Sequence, residues 1–392
     1  MLYLRRPMTT SLRKCHSISD LRQLAQRRIP KVMFDYMDGG AEDEVTLARN
    51  SNGFGRWQFL PRALVDATQI DLSTRVQGCD IALPLIFSPT GGTRLFHHDG
   101  EFATSAAAAA AGTVFSLSSM ASINIETVAA HTSGDKWFQI YVWKDRGVVR
   151  EFIQRCKASG YKALCLTVDV ATPGQRERDL RNGFTLPPRF TMASLLDMAL
   201  HGRWWWHTLT TPRITLANVV GKAGIGVTNA VTLGQYVNSQ LDASITWKDM
   251  EWMISEWGGP FLVKGILAAE DARIALDCGA TGVILSNHGG RQLDHSAAPI
   301  DVLPEVVDAV GDRTEILIDG GVRRGTDVIK ALALGAKACM IGRPYLYGLA
   351  AGGEAGVHHA VGLLRDEIRR DLMLLGCPSV KQLHQGYLRE LC

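Results

Sequence analysis

Residues 282–294 read Gly-Val-Ile-Leu-Ser-Asn-His-Gly-Gly-Arg-Gln-Leu-Asp. The first four are continuously apolar, as in a parallel strand buried on both faces, and the polar run starts where that strand ends. His288 offers a proton acceptor near neutral pH. Gly289 and Gly290 allow close approach of backbone and ligand. Arg291 presents a planar fork for a carboxylate. Base, open backbone and anion clamp at one strand tip describe a site that takes a proton from a small organic acid. Alone, such a run is more often an ordinary turn, so the rest of the chain decides.

Working outward, eight apolar runs of strand length lie within 84–343: 84–89, 114–119, 137–142, 163–169, 261–265, 282–288, 315–321 and 338–343. Most are continuous rather than alternating. Helix-like segments at 102–111, 150–158, 268–276, 304–310 and 326–333 separate most of them, and the links around the second strand are shorter or less regular. Strand and helix repeated eight times predict an α/β fold, the TIM (β/α)8 barrel, preceded by an N-terminal helical segment.

In that architecture ligands bind at the carboxyl ends of the strands. Those ends carry Pro89-Thr-Gly91, Ser118, Gln139, Thr167 to Asp169, Lys264, Ser286 to His288, Asp319-Gly320-Gly321 and Gly342-Arg343. A structural protein has no reason to place polar groups at nearly every exit, so a catalytic site is expected there. The run 319–325, with glycines, arginines and a helix start, joins Gly342-Arg343 as a phosphate cradle. A phosphate-bearing cofactor is expected near the last two strands.

The chain has 392 residues, 46% apolar and 21% charged, with a net charge of +3. A large core is affordable, and neither the charge nor any basic stripe argues for nucleic acid. The eight cysteines show no CxxC pair or metal-ligand spacing, so buried free thiols in a reducing compartment are expected, with no metal centre. Residues 1–16 are basic before the first acid, Asp20. They faintly resemble a transit peptide, but a disordered extension, with translation starting at Met8, fits better. Residues 17–392 then form one domain.

The sequence resembles the FMN-dependent α-hydroxy-acid dehydrogenases and oxidases, a family that includes glycolate oxidase, L-lactate dehydrogenase and (S)-mandelate dehydrogenase. The resemblance runs from the segment 31–43 to Leu375-Gly-Cys-Pro378. It is carried by 286–294, 319–327, 330–336 and Phe138-Gln-Ile-Tyr141. It implies FMN as cofactor and His288 as the general base, with Asp169 holding its imidazole. It implies Arg291 and Arg176 on the substrate carboxylate, and Tyr36 and Tyr141 as hydrogen-bond donors to substrate oxygens. Lys264 would face the flavin edge where negative charge gathers on reduction. The flavin would touch Pro89, Thr90, Gly91, Ser118, Gln139, Thr167 and Ser286. Its phosphate would lie against Asp319, Gly320, Gly321, Val322 and Arg323 and against Gly342 and Arg343. Two departures from glycolate oxidase, Gly91 in place of alanine and Met120 in place of a bulky aromatic, point to a dehydrogenase acting on a lactate- or mandelate-like acid.

Strands four and five are separated by a long insertion, about 189–246. Its stretch 198–241 has no Asp or Glu, carries Arg203, Arg213 and Lys222, and holds Trp204-Trp205-Trp206. Basic residues beside clustered tryptophans suit a membrane surface, and no run is apolar enough to span a bilayer. An active-site lid or a subunit contact is the other reading. The resemblance favours the membrane: a homotetrameric enzyme on the inner face of the cell membrane, passing electrons to a quinone. Two alternatives stay open, an O2-reducing oxidase and, further off, a non-redox phosphate-binding barrel isomerase or lyase.

Overall fold

The computed structural model describes residues 10–185, 189–219 and 240–391. Eight parallel strands close into a barrel: β1 Leu85–Phe87, β2 Phe115–Ser118, β3 Lys136–Ile140, β4 Ala163–Thr167, β5 Phe261–Ile266, β6 Gly282–Ser286, β7 Glu315–Asp319 and β8 Ala338–Ile341. Each pairs with the next, and β8 returns to β1 with Cys339 opposite Leu85. All eight expected strands are present.

The barrel interior is filled by Ile86, Trp137, Cys165, Leu262, Ile284, Leu317 and Met340. The hairpin Thr74–Val76 with Cys79–Ile81 adds Val76, Cys79 and Ile81 to this cluster and so packs into it. The outward faces of the strands meet the surrounding helices in a second, larger core. Those helices exclude water from both sides of the sheet, which is why the strands read as unbroken apolar runs.

Three differences from expectation have physical causes. The helix expected at 304–310 spans Pro299–Val310, with Pro299 at its first turn and Pro304 tolerated inside it. Proline was taken as a helix start because it has no N–H to donate. The short helix Ile125–His131, capped by Asn124, was too brief to show periodicity. Residues 10–16, expected in a disordered extension, include the helix Thr10–Arg13, and Leu12 and Cys15 are buried. Leu12 fills the gap left at Gly352, where a long helix, Arg343–Leu375, breaks. Residues 1–9, and with them Met8, lie outside the described residues.

The insertion is partly a fixture of the barrel wall. Asn218 accepts from Ile125 N at 3.0 Å, Ala217 N donates to Ala121 O at 3.1 Å, and Leu241 bridges to Trp143. Excising all of 198–241 would therefore strip contacts from the barrel, contrary to an insertion that leaves core packing untouched. Lys222 and the rest of 220–239 lie outside the described residues.

Candidate active site

Side chains alternate sides along a strand. Two residues beyond the apolar interior layer come Ser88, Gln139, Thr167, Lys264, Ser286, Asp319 and Gly342. Two further on come Thr90, Tyr141, Asp169 and His288. Ten of the 21 expected site residues are thus brought to one barrel mouth by strand periodicity alone.

The floor of the mouth is an ion pair. Lys264 Nζ lies 2.7 Å from Asp319 Oδ2 and donates to Ser286 Oγ at 2.8 Å, while Ser88 Oγ donates to Asp319 Oδ1 at 2.7 Å. Burial pulls the Lys264 pKa down, but Asp319 and Asp169 outweigh it and the net shift is upward, so the ammonium stays charged. Beside it, Gln139 Oε1 accepts from Ser118 Oγ at 2.8 Å. Gln139 Nε2 and Thr167 Oγ1 are buried with no hydrogen-bond partner among the described residues. An unsatisfied buried polar group costs about 1–3 kcal/mol. These two atoms fit a bound ring system that offers hydrogen-bonding edges at this depth, as a flavin does.

Above the floor, His288 Nδ1 and Asp169 Oδ1 are 2.9 Å apart. Burial pushes the Asp169 pKa up, but His288 and Lys264 outweigh it and hold the net value low. Asp169 is therefore an ionised partner for an imidazole that gains a proton. The fit depends on a β-bulge at Gly265, where φ is +107° and a Cβ would sit 2.8 Å from that of Asp169. Tyr141 Oη is 3.4 Å from His288 Nε2, and burial, helped by Asp169, raises its pKa, so the hydroxyl keeps its proton.

Two guanidinium groups stand around one ring. Arg291 Cζ stands 5.1 Å and Arg176 Cζ 5.7 Å from the Tyr36 ring centre. Arg291 Nη1 donates to Tyr36 O and Gly39 O at 2.6 and 3.1 Å, and Arg176 Nε donates to Asp179 at 2.8 Å. Burial, then repulsion from Arg176, lowers the Arg291 pKa. Two half-buried cations beside one ring favour an anion near them.

Tyr36 belongs to the helix Lys31–Asp38, outside the barrel, and the contacts that bring it in were not read from sequence. Asp38 accepts both N–H groups of Arg22, at 2.6 and 2.7 Å, and also bonds Arg178 and Tyr347. Asn50 and Asn287 exchange amide hydrogen bonds at 2.8 and 2.7 Å, and Asp294 accepts from Thr46 N at 2.8 Å. Gly290, at φ +75°, leaves room for Leu47, whose backbone N would lie 2.6 Å from a Cβ.

Burial raises the Asp38 pKa, but Arg22 and Tyr347 outweigh it and hold the carboxyl at about 2. A depressed folded pKa gives stability above the unfolded value near ~4 that is lost as pH falls. Asp38→Asn should therefore cost about 2 kcal/mol at neutral pH. The gap to wild type should close between about pH 4 and 2, as read from denaturant melts.

The phosphate cradle differs in part from expectation. The start of helix Gly325–Ala333 is already capped: Asp327 accepts from Arg323 N and Arg324 N at 2.8 and 2.9 Å, and Glu367 accepts from Gly325 N at 2.7 Å. The Asp319 carboxylate faces Lys264, where a nearby phosphate would not repel it. Arg343 donates to Met37 O, Gly39 O and Gly289 O, tying the Tyr36 helix to the His288 loop. Gly320, Gly321 and Val322 follow β7, Arg323 Nη1 donates to Val322 O at 2.8 Å, and Gly342 follows β8. Pro89, Thr90 and Gly91 follow β1, where Thr90 Oγ1 lies 2.6 Å from Tyr345 Oη. A cleft of about 1340 Å³ lies elsewhere, and His288, Asp169, Lys264 and Arg291 do not line it.

An imidazole–carboxylate pair, two guanidinium groups and a buried lysine at one barrel mouth suit an oxidoreductase that handles small organic acids. A profile of the FMN-dependent dehydrogenases matches residues 25–390, and the chain belongs to that family, whose members oxidise 2-hydroxy acids with FMN. It is 44% identical over 376 residues (96% of this chain, 89% of the relative) to a Mycobacterium tuberculosis protein provisionally named L-lactate dehydrogenase. It is 42% identical to glycolate oxidase of Spinacia oleracea over 372 residues, 95% of each chain. Among solved structures, the monotopic membrane protein (S)-mandelate dehydrogenase superposes with a TM-score of 0.93 at 40% identity, covering 96% of this chain and 100% of that one. Membership removes the non-redox isomerase or lyase from consideration.

Proposed function

We propose that this protein oxidises an L-2-hydroxy acid of lactate or mandelate type to the 2-oxo acid and passes the electrons to a quinone or similar acceptor. The observation that carries the chemistry is the His288–Asp169 pair, 2.9 Å apart, facing Tyr141 and the Arg291–Arg176 clamp. Arg291 and Arg176 hold the substrate carboxylate, and Tyr36 and Tyr141 orient its oxygens. His288 Nε2 takes the substrate proton, and Asp169 stabilises the imidazolium. Bound FMN supplies the two-electron acceptor. Gln139, Thr167, Ser118, Ser286 and the 89–91 loop would hold its ring, and the Lys264 ammonium would offset the negative charge it gains on reduction. Steady-state assays with L-lactate, (S)-mandelate and glycolate, each with O2 or a quinone analogue, test this reading. Glycolate turned over fastest, with O2 as the best acceptor, would refute it.

That outcome is the second reading, an O2-reducing oxidase, and the identity to glycolate oxidase favours it. Gly91 bears on the choice. A Cβ there would meet Met120 Cβ at 2.9 Å, so alanine crowds this side of the mouth. Gly91→Ala is expected to speed reoxidation of the reduced enzyme by O2 relative to a quinone analogue, measured by stopped flow. Equal ratios in the two forms would remove Gly91 from the acceptor question.

The insertion supports a membrane partner, while the cytoplasmic side and the tetramer rest on the family resemblance alone. Helices Met192–Leu200 and Gly202–Thr210 expose Leu196, Leu200 (85%), Trp206 (67%) and Leu209 (74%), a patch that gains by burial in lipid. Of the three tryptophans only Trp206 faces out, since Trp204 Nε1 donates to Leu95 O at 2.9 Å. Among the described residues no helix is long and apolar enough to cross a membrane. Changing Leu200, Trp206 and Leu209 to Gln should release the enzyme from membranes while leaving activity with a soluble dye. Fractionation at low and high salt checks it. Wild type found wholly in the soluble fraction at low salt would mark the patch as a lid or subunit contact.

A further inference from the structure

The about 1340 Å³ cleft lies between the loop after β1, the helix Gly202–Thr210 of the insertion, and the far part of helix Arg343–Leu375. Seven of the chain's eleven histidines line it. That concentration has no part in the hydroxy-acid chemistry.

Three consecutive residues, His97, His98 and Asp99, bring one ligand atom each to within 4.8 Å of one another. Asp99 stands between the rings: its Oδ2 is 3.5 Å from His97 Nδ1 and its Oδ1 is 3.2 Å from His98 Nε2. A fourth group arrives from the insertion. The His207 ring stacks on His98 with centroids 4.1 Å apart and planes 7° from parallel, and lies 6.4 Å from His97. The backbone under the cluster is held in place. Arg94 Nε donates to His98 O at 3.3 Å, its Nη2 reaches Pro212 O at 2.6 Å, and Trp204 bonds Leu95 O. Gly353 leaves the space that the His97 ring occupies, since a Cβ there would meet that ring at 2.7 Å.

We propose that His97, His98 and Asp99, with His207 as the fourth ligand, bind a divalent transition-metal ion of the zinc class. Imidazole nitrogens and one carboxylate are the donors such ions select over magnesium or calcium. Bond lengths of about 2.0–2.2 Å put two ligands of one ion up to about 4 Å apart. His97, His98 and Asp99 therefore need to close by less than about 1 Å, and His207 must rotate out of its stack on His98 to present a ring nitrogen. The ion staples the insertion helix to the first barrel loop, so it orders the face that carries Trp206 and Leu209. It takes no part in substrate oxidation.

The test uses tag-free, full-length, FMN-loaded enzyme, stripped with a chelator and titrated with Zn²⁺ by calorimetry and equilibrium dialysis. One ion per chain is expected, with a melting temperature that rises with zinc and slower proteolysis within 201–214. Removing even an outer partner of a metal site costs about 10–100-fold in affinity. His98→Gln, Asp99→Asn and His207→Ala should therefore each weaken binding at least about tenfold while keeping flavin absorbance and dye-linked turnover. His98→Gln keeps size and polarity, so lost binding there is not lost folding. No stoichiometric zinc in the wild type, or uptake unchanged in His98→Gln and Asp99→Asn, overturns the proposal.

Discussion

His288→Gln is expected to keep its FMN, seen as unchanged flavin absorbance, and to lose turnover by about 10²–10⁴-fold or more, the usual contribution of a positioned base. Glutamine retains a polar group of similar reach but cannot accept and hold a proton at the place of Nε2. The negative charge of Asp169 then loses its imidazole partner and keeps Lys264 nearby. Dye-linked steady-state assays with several 2-hydroxy acids measure the effect. Turnover within tenfold of wild type for any of them would move the base to another residue.

Arg291→Lys is the second large effect. An ammonium cannot reproduce two parallel hydrogen bonds to a carboxylate. A charge-assisted hydrogen bond contributes about 1.5–3 kcal/mol, so KM should rise roughly 10- to 150-fold. Loss in kcat should accompany it, because a loosely held carboxylate leaves the substrate misplaced against His288. Arg291 also bonds Tyr36 O and Gly39 O, so a melting curve belongs beside the kinetics. Unchanged KM for every 2-hydroxy acid would take Arg291 out of the clamp.

What the chain discloses before folding follows from periodicity. The barrel strands are buried on both faces, so they read as apolar runs, and the first inward polar residue after each run falls at the mouth. Gln139, Thr167, Lys264, Ser286 and Asp319 were legible for that reason. The contacts that bring Tyr36 to the site were not. Asp38 with Arg178, and Asn50 with Asn287, join residues far apart in sequence, and a single polar side chain on a surface helix carries no sign of its partner. The capped start of helix Gly325–Ala333 was hidden likewise, since Glu367 comes from another helix. The exposed apolar patch of the insertion was half visible: the tryptophans stood out, but Leu196 and Leu200 look like any helix core until the structure leaves them exposed. The His97, His98 and Asp99 cluster escaped notice because its fourth member, His207, lies in the insertion.

The account rests on one event, transfer of two electrons from a 2-hydroxy acid to the FMN at this barrel mouth. Anaerobic mixing of the enzyme with the separate enantiomers of lactate and mandelate, followed by flavin absorbance, tests it without any acceptor. Rapid bleaching by the L-enantiomer of at least one acid, absent with its D-enantiomer and abolished in His288→Gln, is the result expected. A flavin that stays oxidised with every 2-hydroxy acid, or that bleaches equally fast in His288→Gln, would contradict it.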